Sequence, residues 1–141
     1  MQDTSNRFNY QLVNSLEQLP ELADAIADFG IRQGWTDALI MQINLSLEEL
    51  IVNTIEYGYA SGSSGLIEVV ITANAEQLVL DITDDAARFN PFLLAEPDLS
   101  LSVAERPVGG LGVYLVKHYM DLYEHHETNT GNHIRLIKFL T

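Results

Sequence analysis

The sequence predicts an α/β protein, a two-layer α/β sandwich with three main helices on one face of a mixed, mostly antiparallel sheet. Three observations carry that prediction. Apolar residues recur at helical spacing in three segments, near residues 20–33, 37–58 and 112–120. Five short β-rich runs lie around them, at residues 7–14, 66–72, 77–83, 122–128 and 133–140. The last four of these pair off across short polar turns, which reads as two hairpins. At 141 residues the chain is expected to be one domain, residues 1–141, with a single core.

Taken in order, the first run alternates Phe8, Tyr10 and Leu12 with Asn9, Gln11 and Asn14, as a half-buried strand does. Pro20 suits the first turn of the first helix, where its missing N–H is no loss. Leu22, Ala23, Ile26, Ala27 and Phe29 then give that helix its apolar stripe, and Gly34 fits the position just past its end. Thr36 or Asp37 caps the second helix, which runs to about Gly58. Residues 61–65, Ser-Gly-Ser-Ser-Gly, form a flexible loop, and the turn at Asn74, Ala75 and Glu76 closes the first hairpin. Periodicity stops over residues 84–112, where Pro91, Pro97 and Pro107 lie. So long an irregular stretch predicts a lid or binding loop, with a short helix near residues 100–104 as the alternative. Val113, Leu115, Val116, Tyr119 and Met120 mark the third helix, and Asn129, Thr130, Gly131 and Asn132 the final turn.

Twenty acidic against seven basic residues give a formal charge of −13, which repels nucleic acid and anionic lipid, so neither is an expected partner. A small anion can still be held by a metal ion, a helix N-terminus and a few local cations. Arg88, Arg106 and Lys117 flank the glycine-rich region and are the cations placed to help. The absence of cysteine excludes disulfides and thiolate zinc sites. The N-terminus lacks a basic stretch followed by an apolar run, and no later segment was expected to reach the length of a membrane span. The expectation is a soluble, cytoplasmic protein.

The chemistry concentrates in three places. On the second helix, Glu49 and Asn53 stand one turn apart, about 40° around the axis, on a polar strip with Gln42 and Ser46. Ile43, Leu47, Leu50, Ile51 and Ile55 fill the apolar arc beside it, so the pair sits at the edge of the core. There a carboxylate can take a proton and an amide oxygen can ligate a hard cation. The second place is a strand that ends in Asp84 and continues through Asp85, Ala86, Ala87, Arg88 and Phe89 to Pro91. The third is Gly109, Gly110, Leu111 and Gly112, which open the third helix where backbone N–H groups suit phosphate.

In this order and spacing the three features resemble the nucleotide-binding domain of the GHKL (histidine kinase-like) ATPase superfamily, and within it the bacterial anti-sigma-factor serine-protein kinases. The resemblance covers residues 8–140. Residues 49–53, continuing to Tyr57, Gly58 and Tyr59, look like the N-box; residues 84–91 look like the adenine box; residues 106–112 look like the lid hinge and second glycine box. The resemblance implies ATP and Mg²⁺ as cofactors. It implies that Asn53 holds Mg²⁺, Glu49 accepts the proton of the attacking hydroxyl, and Asp84 bonds the exocyclic amine of adenine. Gly110 and Gly112 would let the backbone approach the phosphates, and Arg106 would face the terminal one; Ala86, Phe89, Gly109 and Leu111 complete the implied nucleotide contacts. The implied activity is serine/threonine-protein kinase action on an anti-sigma-factor antagonist protein, coupled to sequestration of a sigma factor by a homodimer. The alternative is a nucleotide-responsive binding module that transfers no phosphate. The family's adenine box reads Asp-x-Gly, whereas this chain has Ala86 in place of the glycine. A crowded adenine pocket is the expectation, with backbone strain if φ there is positive. His118, His125, His126 and His133 are read as ordinary surface or core residues.

Overall fold

A computed structural model describes residues 6–93 and 111–140, with Leu111 described by its backbone alone. The chain runs β1 (Arg7–Val13), α1 (Leu19–Gln33), α2 (Asp37–Gly58), β2 (Leu66–Ala73), β3 (Gln77–Asp84), α3 (Leu111–Tyr119), β4 (Leu122–Glu127) and β5 (Asn132–Phe139). Single 3₁₀ turns occupy Leu16–Gln18 and Pro91–Leu93. Most of the irregular 84–112 stretch, including residues 100–104, lies outside the described residues.

The five strands form one sheet in the order β1-β2-β3-β5-β4. Every pairing among the described residues is antiparallel, so the mixed component expected from sequence is not seen there. Register explains where the core lies. Phe8, Ile71, Leu80, Leu136 and Tyr123 stand side by side across the sheet, and Tyr10, Val69, Ile82, Ile134 and His125 form the next row. Alternate side chains share a face of a sheet, so these rows make one apolar surface. Leu22, Ile26 and Phe29 of α1, Ile43, Leu47, Leu50 and Ile51 of α2, and Val116 of α3 bury against it. The third row begins Leu12, Ile67 and then turns polar with Asp84 and Asn132, so the core ends in a buried carboxylate and amide. On the opposite face Asp81 pairs with Arg135 and His133 at 2.8 and 2.7 Å.

The helices obey their local signals. Pro20 stands in the first turn of α1, and Gly34 ends that helix in the left-handed region at φ 82°. The Thr36 side chain accepts the Leu39 N–H and so caps α2. α2 lies between α1 and α3 and contacts both. Contrary to the sequence expectation, α2 is long and apolar enough to span a membrane by length and composition. It is also the central core helix, with Glu48 and Glu56 on its exposed flank.

Gly30 marks a tight contact where α1 turns into α2. A methyl group there would lie 2.6 Å from Trp35 Cε3 and 2.8 Å from Ile40 Cγ1. Alanine improves helix propensity by about 1 kcal/mol over glycine, whereas overpacking a core costs about 1–3 kcal/mol. Gly30→Ala is therefore expected to destabilise the fold, lowering the urea midpoint, while Ile31→Ala on the exposed side of the same helix leaves it nearly unchanged.

Candidate functional site

The site lies where the polar end of the sheet row meets α2. A narrow recess is lined there by Leu50, Asn53 and Gly58 of α2, by Asp84, Ala86, Ala87 and Phe89, and by Asn132 and Ile134 of β5. Asp84 and Asn53 therefore face one pocket, as the sequence predicts. Both are almost fully buried, at 7 % and 5 % exposure, which for polar side chains requires partners or a ligand.

Asp84 finds its partners through the β3–β5 pairing. Its Oδ1 accepts the Ala86 N–H and the Asn132 Nδ2–H, each at 2.9 Å, and Oδ2 takes neither bond. Burial pushes the Asp84 carboxyl above the usual carboxylate range, while the bonds from Asn132 and Ala86 pull it back. Its neighbour Asp85 points to the other side of the strand. There it accepts the Tyr59 hydroxyl at 2.6 Å and the Leu66 N–H at 3.0 Å, and the Tyr59 bond in particular holds its carboxyl low. Strand alternation thus separates two adjacent aspartates into a pocket residue and a structural tie. Gly131 closes the arrangement, because any Cβ at that position would overlap the Asp84 carbonyl.

Across the recess, Asn53 Nδ2 donates to Glu49 Oε1 at 3.5 Å, which turns Asn53 Oδ1 away from the carboxylate. Burial raises the Glu49 pKa, the Asn53 bond opposes that rise, and Glu48 and Glu56 add to it. A half-buried glutamate in this condition is a better proton acceptor near neutrality than a solvated one. Hard oxygen donors, one amide and one carboxylate, suit Mg²⁺, which takes few protein ligands and keeps waters and phosphate oxygens for the rest. Ser46, one turn before Glu49, is buried with no hydrogen-bond partner for its hydroxyl among the described residues.

One expectation is resolved by the backbone. Ala86 does not have positive φ, so its backbone is unstrained. Its methyl group packs toward α2, 2.6 Å from where a Cβ on Gly58 would stand, and Ala87 N–H donates to Gly58 O at 2.8 Å. The missing side chain of Gly58 makes room for the methyl of Ala86. Gly112 stands against α2: a Cβ there would collide with the Glu49 carboxyl group, so this glycine lets the first turn of α3 approach the carboxylate.

Phe89 borders the recess with its ring 6.2 Å from Tyr57 and gives its N–H to Asn132 Oδ1 at 3.0 Å. The flanking cations are engaged elsewhere. Arg88 donates to Thr128 O and Asn129 O of the β4–β5 turn, and Lys117 donates to Phe92 O at 2.9 Å. Arg106, Gly109 and Gly110 lie outside the described residues, as does the Leu111 side chain. Asn132 is the pocket residue that sequence reading misses. Read locally it belongs to a turn, and only the β3–β5 register sets it beside Asp84. His125 is missed in the same way: it approaches Asn132 Oδ1 at 2.7 Å.

Gly112→Ala isolates the role of that glycine. The methyl must displace Glu49, so any reaction that uses this carboxylate should fall sharply, while the helical circular dichroism of the protein stays near that of the wild type. A variant with normal turnover would show that Glu49 is not held by α3.

Residues 12–138 match the family described as histidine kinase-like ATPase domain. The serine/threonine-protein kinase BtrW of Bordetella bronchiseptica is 24 % identical over 106 residues, covering 75 % of this chain and 75 % of that protein. The recess between α2 and the end of β3, bounded by Asn53 and Asp84, falls inside the matched region. The chain belongs to the histidine kinase-like ATPase domain family, an α/β fold that binds ATP.

Proposed function

We propose that this protein is an ATP- and Mg²⁺-dependent serine/threonine-protein kinase of the anti-sigma type, a single cytoplasmic domain acting as a homodimer. Its phosphate acceptor is an anti-sigma-factor antagonist protein and its sequestered partner a sigma factor; it binds neither nucleic acid nor membrane directly. The observation that carries the reading is the Glu49–Asn53 pair at 3.5 Å, set across the recess from Asp84. One end of the site can read a base and the other can manage a proton and a phosphate. The relative named as a serine/threonine-protein kinase supports the same class of reaction.

In this reading Asp84 Oδ2 accepts a hydrogen bond from the exocyclic amine of adenine, and the apolar walls from Leu50, Ala86 and Phe89 enclose the ring. Asn53 Oδ1 would help hold Mg²⁺, which when bound would neutralise charge on the transferring group. Glu49 takes the proton of the acceptor hydroxyl as its oxygen bonds the terminal phosphorus and the bond to the ADP oxygen breaks. The polarity of this step follows from burial: a carboxylate with a raised pKa accepts a proton more readily, provided it starts ionised. A binding module without phosphotransfer drew its support from Ala86, and the space beside Gly58 reduces that support.

Identification of co-purifying proteins by mass spectrometry, followed by incubation with ATP and Mg²⁺, tests the assignment. A phosphorylated serine or threonine on the partner is the expected result. Nucleotide binding with no transfer to any co-purifying protein would favour the binding module. Glu49→Gln is expected to retain ADP binding and lose about 10²–10⁴-fold in transfer, the usual worth of a positioned base. Asn53→Ala should instead weaken Mg²⁺-dependent binding. In the wild type, transfer should fall as pH drops through a value above the ordinary glutamate pKa of 4.5, because protonated Glu49 cannot act as a base.

A further inference from the structure

Asn132 has every hydrogen-bonding valence of its amide engaged. Nδ2 donates to Asp84 Oδ1 at 2.9 Å and to Ala87 O at 3.1 Å; Oδ1 accepts the Phe89 N–H at 3.0 Å and faces His125 Nε2 at 2.7 Å. An amide offers two N–H donors and two acceptor lone pairs, so nothing is left over. The arrangement has one orientation only. The Phe89 amide can only donate, so the atom facing it is the oxygen. Flipping the side chain would set N–H against N–H there and oxygen against the Asp84 carboxylate. Because Asn132 Oδ1 accepts, His125 must carry its proton on Nε2.

This chain of bonds determines what Asp84 can present to the recess. With Ala86 N–H and Asn132 Nδ2 both on Oδ1, the carboxylate is held in one rotamer and Oδ2 is left as an acceptor. A ligand edge that brings an N–H is matched; one that brings a carbonyl oxygen sets acceptor against acceptor. Unmade bonds in a buried site are costly, so such a site discriminates strongly between the two. His125 stands behind the amide at the β4 edge, where a ring N–H reaches Asn132 without entering the recess. It is half-buried, and the strand partner across from it is Ile134.

We infer that Asn132 and His125 are positioning residues that make the site selective for 6-amino over 6-oxo purine nucleotides, Asn132 by orienting Asp84 and His125 by fixing the amide of Asn132. The inference rests on the reading of Asp84 as the base-recognising residue.

ADP and inosine diphosphate, which differ at the purine 6-position, are the probes. Each is titrated by calorimetry in the presence of Mg²⁺, with thermal unfolding recorded for every variant. The wild type is expected to prefer ADP. Asn132→Ala should weaken ADP binding by about tenfold, the scale of one hydrogen bond to a charged group, while inosine diphosphate binding changes little, so that the ratio collapses. His125→Leu should move the ratio the same way by a smaller factor, and His125→Gln, whose amide N–H can replace the ring donor, should restore it. A purely structural role would lower the unfolding temperature and leave the ratio unchanged; that result, or equal ratios for His125→Leu and His125→Gln, overturns the inference. If Asn132→Ala fails to fold, the two His125 variants decide. Absence of ADP binding by the wild type would instead refute the nucleotide-site reading itself.

Discussion

Asp84 is a carboxylate at the end of a core-facing row of strand residues, and its burial constrains everything around it. The row Leu12, Ile67, Asp84, Asn132 starts as ordinary hydrophobic core and finishes with two polar side chains less than a tenth exposed. A buried carboxylate without donors costs several kcal/mol, so the fold must bring N–H groups to it. It does so from two directions: the chain turns back at Ala86 to offer a backbone N–H, and β5 contributes the Asn132 amide. These two donors offset part of the cost of burying the carboxylate and leave Oδ2 facing outward from that pair of bonds. That is why this end of the sheet reads as a binding site and the opposite end does not.

Close approach of backbones makes the rest of the site. Gly58 accepts the Ala86 methyl, Gly131 lies against the Asp84 carbonyl, and Gly112 lies against Glu49. Each contact joins the wall of the recess to a different neighbour: α2 to the segment after β3, the β4–β5 turn to β3, and α3 to α2. None of these positions has a side chain that would do chemistry. Their contribution is to let Asn53 and Asp84 line one recess, with Glu49 one turn away on α2.

The charge distribution follows the same division. Asp81 on the open face and Asp85 outside the pocket are paired, by Arg135 and His133 and by Tyr59 and Leu66 N–H respectively. Arg88 and Lys117 tie loop segments to backbone carbonyls. Among the described residues the recess is lined by no cation and by one carboxylate, Asp84, with its hydrogen bonds.

Much of the architecture was legible in the sequence because its causes are local. Period-two alternation marked the first strand, and β-rich runs between short turns marked the other four. The 3.6-residue period set Glu49 and Asn53 on one strip of α2; Pro20, Gly34 and Thr36 punctuated the helices where the structure has their ends. Other features were beyond local reading, because they depend on which distant segments meet. Asn132 looked like a turn residue until β5 paired with β3 across 48 positions of chain and gave it Asp84 as a partner. Ala86 looked crowded because its neighbour Gly58 could not be known from sequence spacing, and the approach of Gly112 to Glu49 is a matter of how α3 packs on α2. Periodicity determines which way a side chain points; only the tertiary structure decides what stands opposite it, since that depends on register and packing distance between elements far apart in the chain.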